Sequence, residues 1–296
     1  MKKSSIDIGS NSILLLYGEL NKSFNEMGNE AEVVGLGKGV DETGNFLNEK
    51  MDHAFKVLQR FREVLVSNGF DPLETIVTAT EASRNAKNSK SFFLKVKNDL
   101  GFNVQIISPL GEAYYTSLGI INLKKELSSN ECLLIDLGGA STEVIHLQKK
   151  PFLIKKMQSL KCGSVRATEW IEKNKYKKNL DHIFDSLDFN GPFDEAICIA
   201  GTFTTLASMY LKQKSFNPKE IEALNIELDD FSQFVKSIKD LDAYPTAISR
   251  KETIKNGGVW ALDLLTRLNV KNISFSTFGL RYGVIFEGEI RQEHII

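Results

Sequence analysis

Two short stretches constrain this chain more than anything else in it. Asp7-Ile8-Gly9-Ser10-Asn11-Ser12 and Asp136-Leu137-Gly138-Gly139-Ala140-Ser141 each run from an acid through an apolar residue and a glycine into small residues, and each lies between apolar runs. A short apolar run, a glycine-containing polar turn and a second apolar run read as two strands joined tightly. Finding the same unit twice suggests an internally duplicated protein. With 296 residues there is room for two lobes and not for three. The polar stretch from Leu127 to Asn130 reads as the crossover, giving lobes over residues 1–126 and 127–296, with the last residues packing back on the first lobe.

The rest of the pattern alternates strand and helix, which places the chain in the α/β class. In the first half, strands are expected at residues 6–8, 13–19, 32–36, 75–79 and 104–107, and helices at 49–67 and 90–99. The 49–67 helix rests on Met51, Ala54, Leu58, Phe61 and Leu65 recurring at three and four residues. A hydroxyl followed by proline, Ser108-Pro109, predicts a further helix over 109–123 and puts Glu112 in its first turn. In the second half, strands are expected at 131–137, 142–147, 195–200 and 273–276, and helices at 164–172, 204–211, 258–268 and from Asn217-Pro218 onward. Gly279-Leu280-Arg281 reads as a turn before the last element.

Composition narrows the function. The formal net charge of −1 and the lack of a recognisable motif argue against a nucleic-acid-binding module. The clusters Lys173, Lys175, Lys177, Lys178 and Lys149, Lys150, Lys155, Lys156, Lys161 read first as solvated surface, and second as steering for a polyanion. No signal peptide fits the first residues, and every apolar run is far shorter than the roughly 20 residues a bilayer crossing needs. Cys132, Cys162 and Cys198 have no metal-ligand spacing and read as reduced, mostly buried thiols of a cytoplasmic protein. His53, His146, His182 and His294 form no ligand set and read as surface or packing residues.

Three turns carry the candidate chemistry: Gly9 to Ser12, Gly138 to Ser141 and Gly201 to Thr205. Each follows an expected strand and combines glycine with hydroxyls, the composition of a phosphate cradle, because glycine lets backbone amides come close to an anion. None matches the Gly-Lys-Ser mononucleotide loop or the Gly-x-Gly-x-x-Gly dinucleotide turn. Asp136, Ser141 and Glu143 surround one turn with oxygen ligands suited to magnesium. Glu143 is balanced between a solvated strand residue and a functional one, and a glutamate placed as Glu112 is often only a compensating charge at a helix start.

Taken together the motifs resemble the exopolyphosphatase and guanosine pentaphosphate phosphohydrolase (Ppx/GppA) family. The resemblance rests on the two turns above, on Thr78-Ala79-Thr80-Glu81-Ala82-Ser83-Arg84-Asn85-Ala86, Gly111-Glu112-Ala113, Ser159-Leu160-Lys161-Cys162-Gly163, Ala200-Gly201-Thr202-Phe203-Thr204-Thr205-Leu206-Ala207 and Gly279-Leu280-Arg281-Tyr282-Gly283. It implies a two-lobed, duplicated actin-like (ribonuclease H-like) fold with a phosphate-binding cleft between lobes. It further implies a cytoplasmic, magnesium- or manganese-dependent hydrolase that releases orthophosphate from inorganic polyphosphate or from guanosine pentaphosphate (pppGpp), the alarmone of the stringent response. A homodimer is compatible with it, and neither nucleic acid nor membrane is an expected partner.

Carried over residue by residue, the resemblance makes Glu112 the group that orients or deprotonates the attacking water. It gives Glu143 an assisting role and makes Asp7, Asp136, Ser141 and Glu143 the metal ligands. Ser10 and Asn11 would line the first phosphate loop, Gly138, Gly139 and Ser141 the second, and Gly201, Thr202 and Thr204 a third region, with Arg84 and Arg281 as guanidinium clamps. Three positions depart from the family pattern: Leu14 where an arginine is common, Ala140 where a third glycine is usual, and Ile199-Ala200 where the approach to Gly201 is richer in glycine. Two rival readings follow: a weakly active protein that binds polyphosphate or the alarmone as a regulator, and a phosphotransferase of the same fold.

Overall fold

The computed structural model describes residues 1–124 and 130–296 as two units, Met1–Gly119 with Leu280–Ile296, and Ile120–Gly279. The division falls at 119/120, seven residues before the expected 126/127, and the closing segment from Leu280 belongs to the first unit. Most of the expected crossover, Leu127 to Ser129, lies outside the described residues.

In the first unit β1 (Lys2–Ile8), β2 (Ser12–Leu20) and β3 (Phe24–Val33) form an antiparallel meander. It is followed by α1 (Val40–Thr43), α2 (Asn48–Ser67), β4 (Ile76–Ala79), α3 (Glu81–Asn85), α4 (Ser89–Leu100), β5 (Val104–Ile106) and α5 (Pro109–Leu123), whose last residues enter the second unit. The sheet order is β3-β2-β1-β4-β5, with β4 and β5 parallel to β1. Burial follows the strand period: Ile6, Ile8, Ile13, Leu15, Val77 and Ala79 join Ala54, Leu58, Phe61 and Leu65 of α2 in one core, the stripe that the spacing of α2 predicts.

The second unit repeats the plan. β6 (Glu131–Leu137), β7 (Thr142–Gln148) and β8 (Leu153–Leu160) form the meander, followed by α6 (Ser164–Glu172), α7 (Tyr176–Ser186), β9 (Phe193–Ile199), α8 (Ala200–Tyr210), α9 (Pro218–Glu222), β10 (Asn225–Glu227), α10 (Leu228–Ser237), α11 (Ile254–Arg267) and β11 (Val270–Ser276). Its order β8-β7-β6-β9-β11 matches the first sheet strand for strand, with β10 added at the far edge. Its core gathers around Trp260, Phe203, Phe231 and Phe275. α12 (Leu280–Glu287) closes the first unit, so Arg281, expected in a turn, sits in the first turn of a helix.

Three strands differ from expectation. β3 was expected at 32–36 and lies at Phe24–Val33, and β8 and β10 have no counterpart among the expected strands. All three are edge strands; in β3 and β8 charged residues such as Glu26, Glu30, Lys155 and Lys156 face water and discourage further pairing, and so blur the apolar alternation that reveals an inner strand.

Candidate active site

In each unit the parallel strands end at one edge of the sheet, and the predicted residues gather there, at the carboxyl ends where open α/β sheets bind ligands. In the first unit the register Ile8↔Ala79 aligns β1 with β4, and the amide bonds Thr80 N to Ile8 O at 3.3 Å and Ile107 N to Ala79 O at 3.0 Å bring the starts of α3 and α5 level with the 9–12 turn. Asp7, Ser10, Asn11, Arg84 and Glu112 therefore share one edge. In the second unit Asp136, Ile199 and Ser276 are in register, so the 138–141 turn and the start of α8 with Gly201, Thr202 and Thr204 share the equivalent edge.

The two turns close alike. Gly9 N donates to Ser12 O, and Gly138 N to Ser141 O, both at 3.0 Å. Around the first, Asn11 O accepts Val34 N and Gly35 N at 2.9 and 2.8 Å, and Ser10 O accepts Gly37 N at 2.7 Å. Around the second, Gly138 O accepts Ser164 N at 3.0 Å and Gly139 O accepts Val165 N at 2.8 Å, while the Arg166 guanidinium donates to Ala140 O. The carbonyls of the second turn are thus held from behind by α6. The amides of Gly139 and Ala140 donate to no acceptor among the described residues, which suits them to an incoming anion. Gly163 is required here: a Cβ on it would stand 2.5 Å from the Gly139 carbonyl carbon and push α6 off the turn.

The register decides what faces each turn. Asp136 lies directly opposite Glu143, whereas Asp7 lies opposite Leu14. Directly opposed residues of antiparallel strands project from the same face, their Cβ atoms about 5 Å apart. The second hairpin therefore presents two carboxylates together and the first presents one. Glu143 is 1% exposed and accepts a 2.7 Å hydrogen bond from Ser159 Oγ. The half-buried Asp136 carboxylate and the buried Glu143 carboxylate, with the buried Ser141 hydroxyl, are an all-oxygen donor set that fits magnesium or manganese, which complete their shells from phosphate and water. Among the described residues no three His, Cys, Asp or Glu side chains gather into a ligand set by themselves.

Arg84 and Glu112 form the sharpest feature of the first unit. Arg84 Nη1 donates to Ile107 O at 2.8 Å and to Glu112 Oε2 at 3.1 Å, with side chains only 10% and 14% exposed. Its second terminal nitrogen, Nη2, is buried and has no hydrogen-bond partner among the described residues, and the same holds for Asn11 Nδ2. A buried unpaired donor costs about 1–3 kcal/mol, so two of them at one sheet edge call for an acceptor.

Arg281 is placed differently. Its Nη1 is committed to Leu15 O at 2.8 Å and Asn29 Oδ1 at 2.7 Å, fixing α12 to the first meander. Burial lowers its pKa from the ordinary arginine value, opposed by Tyr282 and by the negative charges of Asp7 and Glu26. Thr204 Oγ1 turns back to Ala200 O at 3.1 Å, and Thr202 is buried.

Two side chains beside the site escape a reading of sequence alone, Arg166 behind the second turn and Arg250, whose guanidinium lies so close to Gly201 that a Cβ there would come within 2.1 Å of it; Ser159 belongs to one of the sequence motifs, but its bond to Glu143 is not legible there. Burial pulls the Arg250 pKa down to about 10. Arg166 was signalled only by its place three residues after Gly163, and Arg250 by nothing local. A separate cavity of about 530 Å³, lined among others by Glu131, Cys132, His146 and Asp194, opens where β6 and β9 begin and contains none of the predicted site residues.

The duplicated sheets define a two-unit α/β protein with a glycine-containing turn at the carboxyl edge of each sheet. Residues 16–292 match the Ppx/GppA phosphatase family, and the chain belongs to it. It is 28% identical, over 97% of its length and 46% of the relative's, to a bifunctional 3-dehydroquinate synthase/phosphatase of Fusobacterium nucleatum. It is 26% identical, over 99% of its length and 60% of the relative's, to a guanosine-5'-triphosphate,3'-diphosphate pyrophosphatase of Vibrio atlanticus, so the chain spans about half the length of these curated relatives. The crystal structure of an exopolyphosphatase from Cytophaga hutchinsonii superposes with a TM-score of 0.83 at 25% identity, covering 97% of each chain. No helix among the described residues is long and apolar enough to cross a membrane.

Proposed function

We propose that this protein is a divalent-metal-dependent hydrolase that removes the terminal orthophosphate from inorganic polyphosphate and from pppGpp. The observation that carries the reading is the Arg84–Glu112 pair with its spare buried nitrogen. One arm of the guanidinium fixes a carboxylate and the other is left for a phosphoryl oxygen. The names of the relatives support the choice of substrates, a pyrophosphatase of a guanosine phosphate and an exopolyphosphatase.

In this reading phosphate oxygens are met in the first unit by Ser10, Asn11 Nδ2 and Arg84 Nη2, and in the second unit by the amides of the 138–141 turn and by Thr202 at the start of α8. Water attacks the terminal phosphorus, the bridging P–O bond breaks toward the shortened chain, and the water's proton passes to Glu112. The ion pair with Arg84 keeps Glu112 pointed at the water, and Ser159 keeps Glu143 in place beside Asp136. In the second unit Asp136, Ser141 and Glu143 are the residues that would hold magnesium or manganese, which when bound would neutralise charge on the transferring phosphoryl group. Arg281 acts behind Asp7, holding the hairpin rather than reaching substrate.

The test is orthophosphate release from polyphosphate and pppGpp with magnesium or manganese, for the wild type and for Glu112→Gln. Loss of an acid–base group typically costs 10²- to 10⁴-fold, and a fall of at least about a hundredfold in kcat is expected. Release from neither substrate by the wild type, or an undiminished rate in Glu112→Gln, would refute the reading. The regulator alternative is favoured by Leu14, an apolar residue opposite Asp7 where the family pattern commonly has an arginine. It predicts tight binding of both compounds with no turnover above background.

A further inference from the structure

The first turn of α5 carries Glu112, and its stability bears on how well that carboxylate is aimed. That turn is held by a segment far away in sequence. Residues 291–296 lie along β5, where Ile107 bridges Ile295 and Ile296 N donates to Ile106 O at 2.9 Å. This brings the main-chain carbonyl of His294 onto Ser108 N at 2.7 Å. Ser108 is the residue on which the turn is built: its Oγ accepts Gly111 N at 3.1 Å, and its carbonyl accepts Glu112 N at 2.9 Å. Two hydrogen bonds thus run in series from His294 through Ser108 to the backbone of Glu112, and a third ties Gly111 to the Ser108 hydroxyl.

The His294 side chain fixes the near end of that series. It is 5% exposed, with its ring centroid 4.9 Å from that of Tyr114 and 5.3 Å from that of Tyr115, in both cases on α5 itself. Its Nδ1 lies 3.2 Å from Tyr115 Oη, which also accepts Arg291 N at 2.9 Å. Burial lowers the His294 pKa and favours the neutral ring, whose Nδ1 can pair with the tyrosine hydroxyl. Gly111, next to Glu112, leaves the space that the His294 backbone and Cβ occupy: a Cβ on Gly111 would stand 2.8 Å from the His294 Cβ.

We propose that His294 is a positioning residue for Glu112, holding the first turn of α5 through Ser108 so that turnover, rather than substrate binding, depends on it. The proposal rests on the reading of Glu112 as the group that takes the water's proton, and the two are separable by experiment. His294 touches no substrate in this account; it acts through the helix start, where a misplacement of about 1 Å can cost as much as a hundredfold in rate.

The experiment compares His294→Ala, His294→Asn and Gly111→Ala with the wild type, after melting curves confirm that each is folded at the assay temperature. Steady-state orthophosphate release is measured alone and in a Glu112→Gln background, and amide hydrogen exchange is followed for the peptide containing Gly111 and Glu112. His294→Ala is expected to lower kcat about tenfold with KM changed less than about twofold. His294→Asn, which keeps an acceptor near the Nδ1 position, is expected to recover part of the loss. Gly111→Ala, which displaces His294 without deleting it, is expected to reproduce the loss, and both His294→Ala and Gly111→Ala are expected to speed exchange at the 111–112 amides. In the Glu112→Gln background His294→Ala is expected to have almost no further effect on residual turnover. Equal losses in both backgrounds, a change confined to KM, or unchanged exchange at those amides would overturn the positioning role. Full activity of Glu112→Gln alone, with exchange still accelerated by His294→Ala, would instead sink the reading of Glu112 and leave the His294–Ser108 coupling standing as a structural one.

Discussion

The 9–12 turn and the 138–141 turn occupy the same place in two sheets of the same strand order, and close with the same 3.0 Å bond from glycine amide to serine carbonyl. They differ in what stands behind and across from them. Behind the second turn is α6, nine residues long, whose first amides and Arg166 take up the turn's carbonyls; behind the first is a loop that offers Val34, Gly35 and Gly37 amides. Across from Asp136 stands Glu143, and across from Asp7 stands Leu14. Equal backbones with unequal partners support the proposed division of labour, in which both turns would receive phosphate oxygens and the second alone has the paired carboxylates suited to a cation. Glu112 and Arg84 supply to the first unit the charge that its hairpin lacks.

Substitutions at the two equivalent strand positions test that asymmetry. Glu143→Gln removes half of the carboxylate pair and is expected to lower kcat by about a hundredfold or more, whereas Leu14→Ala is expected to stay within about threefold, both read by orthophosphate release under saturating substrate. Comparable losses at both positions would mean that the hairpins share one role. A smaller effect runs the other way: Leu14→Arg places a guanidinium opposite Asp7, where it can meet a phosphate oxygen, and is expected to lower KM by about three- to tenfold, read from initial rates on polyphosphate. The smallest concerns the start of α8. Ala200 adopts φ 73°, a left-handed conformation that costs an L-residue about 1–2 kcal/mol, part of which glycine returns as chain entropy on folding. Ala200→Gly should therefore stabilise the fold by about 0.5–1 kcal/mol, a rise in Tm of about 1–3 °C by calorimetry.

Much of this site could be read from the chain because it depends on local patterns. The Ser108-Pro109 start places α5 at Pro109–Leu123 as the sequence predicts, and with it Glu112; the glycine and hydroxyl turns after β1 and β6 appear where their composition says, whereas the expected turn Gly201 to Thr205 lies inside α8, which begins at Ala200 directly after β9. What could not be read depends on contacts distant in sequence. Arg166 reaches a carbonyl 26 residues away, and nothing in its own helix distinguishes it from a solvated arginine. Arg281, a candidate clamp from its motif, is turned by α12 toward Leu15 and Asn29, more than 250 residues earlier, and only the packing of that helix on the first sheet reveals it. β3 and β8 were obscured because edge strands do not need the alternation that inner strands require.

The division of labour between the hairpins is tested most directly by binding and turnover measured on the same samples. Calorimetric titration with pppGpp and short-chain polyphosphate in the presence of magnesium, followed by phosphate release, would be run on wild type, Ser10→Ala and Glu143→Gln. The account predicts that Glu143→Gln binds within about fivefold of the wild type and turns over at least about a hundredfold more slowly. Ser10→Ala should bind about three- to tenfold more weakly while retaining most of its turnover at saturation. Loss of binding in Glu143→Gln with turnover intact at saturation, or loss of turnover in Ser10→Ala with binding intact, would contradict it.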